Sequence, residues 1–184
     1  KWVTGNWNST WSLSNNWTLS TSNPFNTLIW SGGTWMNGVF PDSSTWLSGR
    51  FMKGVFGSPN GTTWVDGTFG TDNSTVSDTI FNNSNWSDGS FNGGLFSGST
   101  WVNGLFNNGV ASGSTWWNGT FDNGTFIDCL HWYNGTFNNG LFTNSVWHNG
   151  TFNNGVFEGQ IWEDGNFNGG YMTNTNWLDG FFYN

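Results

Sequence analysis

Residues 147–167 read WHNGTFNNGVFEGQIWEDGNF. A large apolar residue recurs every fifth position: Trp147, Phe152, Phe157, Trp162, Phe167. The spacing continues through Met172, Trp177 and Phe182. The typical unit is an aromatic, any residue, Asn or Asp, Gly, and any residue, from which Phe157–Ile161 departs. The aromatics also keep an order, Trp then Phe then Phe, so a fifteen-residue period lies over the five-residue one. Upstream the same order runs from Trp30/Trp35/Phe40 through Trp46/Phe51/Phe56 and Trp116/Phe121/Phe126, with Ala111 in the third place after Trp101 and Phe106. Insertions interrupt it without shifting its phase: one residue near His131, three near Gly57–Thr63, and seven between Phe69 and Phe81. Loops that bulge from a coil of fixed circumference behave this way.

Helix is excluded by composition and by period. Asn-Gly occurs twelve times, and both residues disfavour helix interiors. A five-residue spacing would also sweep the aromatics around a helix rather than along one face. Short strands joined by tight turns remain. Asn-Gly suits either a hairpin reversal or the corner of a coil, where Gly and Asn accept a left-handed backbone. A meander reverses at each arm, so its natural repeat holds an even number of arms. Fifteen residues make three. The reading is therefore all-β, a parallel β-solenoid with about three five-residue sides per coil. An antiparallel β-hairpin meander of MORN type is the alternative. Residues 30–184 form the repeat, and residues 1–29, where Trp2 and Trp17 keep the fifteen-residue spacing, read as an irregular amino-terminal cap.

Segments such as GTFDNGTF, GTFNNGLF and GTFNNGVF resemble the pentapeptide-repeat family, whose pentads carry a large central residue and a small one two positions earlier, both facing inward. The resemblance covers roughly Trp30 to Phe182 and implies a right-handed β-solenoid. That family centres on Leu or Phe and has four sides. Three sides here come from this chain's own period.

Composition bounds the function. Aromatics are 20% of 184 residues, with sixteen Trp and eighteen Phe, which disordered chains lack. Charged residues are only 8%, against about 25% in ordinary domains, and the net charge is −8. No basic patch exists to meet nucleic-acid phosphates or an anionic membrane. No apolar run is long enough for a transmembrane helix. The single cysteine, Cys129, excludes an internal disulfide framework. No cofactor is expected.

Catalytic patterns are sparse, and nothing points to an enzyme. Cys129 beside His131 has the composition of a thiolate–imidazole pair, weighed against a small residue filling a corner. His131 and His148, the only histidines, read as two separate surface positions. Asp66, Asp88, Asp164 and Asp179 stand two places after a Trp, where Asn37, Asn103, Asn118, Asn134 and Asn149 also occur. Stacked carboxylates would suit Ca²⁺. The free exchange of Asp with Asn points instead to turn chemistry, and no metal site is assigned. Ten Asn-x-Ser/Thr sequons mark candidate N-glycosylation sites: Asn8, Asn16, Asn60, Asn73, Asn82, Asn85, Asn118, Asn123, Asn134 and Asn149.

The residue before each inward aromatic points outward. Before the third aromatic these are Val39, Val55, Ile80, Leu95, Val110, Thr125, Leu141, Val156 and Tyr171. Before the second they are mostly Thr or polar: Thr34, Arg50, Thr68, Ser90, Leu105, Thr120, Thr136 and Thr151. β-Branched residues suit strands on either face, so the apolar bias of one face marks an assembly surface. The expected function is that of a structural or assembly protein, a subunit of an extracellular filament, a viral or phage fibre, or a surface layer. Its partners are copies of itself or other structural subunits. A carbohydrate- or surface-binding adhesin is the alternative, followed by an ice-binding protein and an acidic DNA mimic. The expected location is extracellular or on a virion surface.

Overall fold

The computed structural model describes residues 29–40, 42–57, 61–71 and 74–183. Among them the chain is a parallel β-solenoid of about ten turns with no helix. One coil shows the plan. Thr115–Trp116, Thr120–Asp122 and Thr125–Ile127 are its three arms. The next coil repeats them as His131–Trp132, Thr136–Asn138 and Leu141–Thr143. The two coils pair in parallel with Trp116 on Trp132, Phe121 on Phe137 and Phe126 on Phe142. Every strand pairing among the described residues is parallel, which overturns the hairpin meander. The proposed amino-terminal cap lies outside the described residues apart from Ile29, which opens the first strand with Trp30.

The core consists of three columns of rings. Trp46 through Trp162 form the first, with ring centroids 4.7–4.9 Å apart between coils. Phe121, Phe137 and Phe152 belong to the second, at 4.8 and 5.0 Å. Phe142 and Phe157 belong to the third, at 4.7 Å. Rings within a column are nearly parallel, whereas rings of different columns meet edge to face, as Phe121 and Phe126 do at 89°. Both arrangements are favoured by the ring quadrupole. One geometry therefore serves every coil, and successive rings sit at the spacing of hydrogen-bonded strands, about 4.8 Å. Almost all of these side chains are fully buried.

The three corners solve the backbone problem differently. After the Trp arm, Asn149 Oδ1 accepts the N–H of Gly150 at 2.7 Å, and Gly150 has φ +118°. Asn37, Asp66, Asp88, Asp164 and Asp179 cap their following glycines in the same way. Asp and Asn exchange here because either supplies the same acceptor, and turn chemistry accounts for the ladder without an ion. Beyond the second arm, an amide ladder runs from Asn168 to Asn153 to Asn138, each step 2.9 Å. At the third corner small polar side chains turn inward. Ser99 Oγ accepts from Ser84 N–H, Ser114 Oγ from Ser99 N–H, and each hydroxyl donates to the carbonyl two residues back. The hydroxyls of Ser84, Ser99 and Ser114 are thereby satisfied, as an interior requires.

Insertions leave the coil at corners. Leu130, the extra residue before His131, is bulged into solvent. Asp78, near the end of the longest insertion, is tied to the coil by an ion pair with Lys53 Nζ, 2.8 Å away. That ammonium, helped by the Thr75 N–H, lowers the Asp78 carboxyl to about 2.

Candidate functional surface

The nine residues of the third face form one line. In-register pairing joins Val39 to Val55, Val55 to Ile80, Ile80 to Leu95, Leu95 to Val110, Val110 to Thr125, Thr125 to Leu141, Leu141 to Val156 and Val156 to Tyr171. The end members are the most open, Val39 at 50% and Tyr171 at 75%. Those between are half-buried because each covers part of its neighbour. The line is not uniformly open. Near its middle, Ser74, Thr75 and Val76 join Val110 and Thr125 in lining a shallow concavity of about 480 Å³, together with Gly94, Gly109 and Gly124. Residues 74–76 of the seven-residue insertion, visible in the sequence, thus border the face predicted for assembly.

The second face carries Thr68, Ser90, Leu105, Thr120, Thr136 and Thr151 in a single register-matched rank. Leu105 breaks it. The corner asparagines Asn85, Asn118, Asn123, Asn134 and Asn149 are exposed, while Asn82 is half-buried with its Oδ1 enclosed. Asn8, Asn16, Asn60 and Asn73 lie outside the described residues.

Cys129 takes the place of a serine in the third-corner ladder. Its N–H donates to Ser145 Oγ at 3.0 Å, and its Sγ accepts from Ser114 N–H at 3.4 Å. It is buried, and desolvation pushes the thiol up to about 12. A thiol held neutral in this way is inert. His131 points outward from the neighbouring arm, so the two do not form a nucleophile pair. We expect Cys129→Ser to fold and melt within about 1 kcal/mol of the parent, because a hydroxyl there continues the ladder. A large fall in melting temperature would show that the sulfur, rather than the corner, matters.

The two histidines, read from the sequence as unrelated, are brought together. His131 Nδ1 and His148 Nε2 lie 3.0 Å apart, and His148 Nδ1 is 2.7 Å from Glu163 Oε2. They sit on the first face, over the Trp column. Residues following each Trp stack there once per coil: Trp117 on Tyr133 at 4.4 Å, and Tyr133 on His148 at 4.8 Å. Tyr133 is therefore sandwiched between Trp117, which is half exposed, and His148. The missed signal was a separation of seventeen, which is one coil plus two residues. His131 pairs in register with Val146, so His148 is its diagonal neighbour, a distance that long side chains bridge.

Among the described residues no three His, Cys, Asp or Glu side chains converge as metal ligands. No helix is long and apolar enough to cross a membrane. Together these features place the chain in the class of parallel β-solenoid repeat proteins. Comparison with protein-family models, with curated proteins and with solved structures finds no match in any of the three. The resemblance to pentapeptide repeats accordingly rests on the pattern of pentads and the coiled architecture.

Proposed function

We propose that the protein is a structural subunit that assembles side by side with copies of itself through its third face. The observation that carries this reading is the unbroken register-matched line from Val39 to Tyr171. Nine coils at about 4.8 Å per step make an apolar edge roughly 40 Å long. That is long enough to contribute to a specific interface of about 1,200–2,000 Å². Charged residues are few, which limits repulsion between neighbouring copies. A filament, a fibre or a surface layer, outside the cell or on a virion, is the setting such a rod suits. A glycan-binding reading is less favoured, because Tyr133, sandwiched in the aromatic ladder, lacks the free ring face that sugar stacking uses.

The test uses Leu141→Lys combined with Val156→Lys, two positions beyond the residues that line the concavity beside Ser74, Thr75 and Val76. We expect the parent to form oligomers by light scattering and lateral pairs or bundles by electron microscopy. The double variant should be monomeric with an unchanged circular dichroism spectrum, because both side chains point away from the core. A parent that stays monomeric at high concentration overturns the proposal.

A further inference from the structure

We infer that His131 and His148 form a two-nitrogen chelating site for a late first-row divalent metal ion, Cu²⁺ or Ni²⁺ above all. The chain has two histidines, and they meet at 3.0 Å from different coils. Glu163 Oε2, 2.7 Å from His148 Nδ1, accepts the proton there and leaves the lone pair on Nε2, facing His131. A carboxylate behind an imidazole is the usual outer partner of a ligating histidine, fixing its tautomer and raising its basicity. Tyr133 stacks on His148 at 9° and lies against His131 with centroids 5.4 Å apart. Both imidazoles therefore have a packing partner.

The nitrogen separation sets the geometry. With metal–nitrogen bonds of about 2.0–2.1 Å, two nitrogens 3.0 Å apart subtend roughly 91–97° at the ion. This is the angle between neighbouring positions of a square-planar or tetragonal site, the geometry of Cu²⁺ and Ni²⁺ with nitrogen ligands, and it is narrower than a tetrahedral angle. Without an ion, His131 Nδ1–H donates to His148 Nε2. On binding, the ion takes the place of that proton at Nδ1, and the proton moves to His131 Nε2. The rings are tilted by 36°, and bringing both lone pairs onto a common ion turns each ring by about 40–45° from the hydrogen-bonded geometry. His148 is 24% and Glu163 43% exposed, which leaves water to fill the other coordination positions and the site open to exchange. Cys129, turned inward, contributes nothing.

The experiment is titration of CuCl₂ into the full chain, read by calorimetry and electron paramagnetic resonance. We expect one Cu²⁺ per chain with hyperfine coupling to two imidazole nitrogens. His131→Ala and His148→Ala should each weaken binding at least tenfold while leaving the circular dichroism spectrum intact, since both side chains point outward. Glu163→Gln should weaken it about 10–100-fold, the usual effect of removing such an outer partner, with the two-nitrogen signature retained. Binding that survives in the double histidine variant, or a spectrum showing oxygen ligands alone, overturns the inference, as does an absence of binding by the parent. None of these outcomes depends on the oligomeric state.

Discussion

Gly150→Val should abolish stable folding of the coils around it, with an expected loss of about 3–5 kcal/mol. Two effects combine. Valine at φ +118° occupies a region that β-branched residues essentially never adopt, a strain of about 1–3 kcal/mol. Its Cβ would also lie inside contact distance of the Gly135 carbonyl oxygen in the preceding coil, and overpacking of this kind costs a further 1–3 kcal/mol or so. The reason differs from the one that the pentad pattern implies. A side chain at this glycine would meet the backbone of the adjacent coil, rather than compete for core space. Equivalent glycines stack on one another, Gly119 under Gly135 and Gly135 under Gly150, so relief in one coil is opposed by the next. Thermal unfolding checks the expectation; a melting temperature within a few degrees of the parent would refute the stacked-corner account. Asn149→Ala, which removes one cap and adds no atoms, serves as the mild control.

Phe137→Ala is the second large effect. The ring is completely buried and stacks between Phe121 and Phe152 while meeting Trp132 and Phe142 edge to face. Emptying such a site costs about 3–5 kcal/mol. In a chain of this size that corresponds to a fall of roughly 6–20 °C in melting temperature. The rungs above and below are themselves aromatic and held in register by strand pairing, so collapse around the void is limited. A shift of only a degree or two would mean that this column tolerates a missing ring, as the third column does naturally at Ala111.

Most of the architecture was legible because one constraint repeats. A bulky ring every five residues, in groups of three, leaves little choice but a three-sided coil. Phe121, Phe137 and Phe152 accordingly fall in one column and Trp116, Trp132 and Trp147 in another. The apolar line on the third face was equally readable, because register between coils equals the sequence period. Two things were not. Where residues 74–78 lie depends on contacts such as Lys53 with Asp78, which no period encodes. The histidine pair was missed because column reading compares like positions, whereas His131 precedes its Trp and His148 follows one. A diagonal contact has no periodic signature. The ladder of Trp117, Tyr133, His148 and Glu163 was missed for a simpler reason: the residues flanking the first aromatic were never read as a face.

The way each coil pairs with the next has a consequence for how the chain reaches its fold. Over the regular part of the rod, strand partners are 15 or 16 residues apart. For a chain of 184 residues, that separation is about 0.08 of the length, within the relative contact order typical of helical bundles and well below that of β-sandwiches. The loop that must close before a coil meets its neighbour is short and almost the same everywhere, so its entropy cost is small and uniform. Kinetically, then, this all-β protein belongs with helical ones. Any regular coil can nucleate, growth proceeds rung by rung in both directions, and stability accumulates as a sum over nearest neighbours. The place to slow such growth is an interruption such as the seven residues inserted between Phe69 and Phe81, where the next rung is farthest away along the chain.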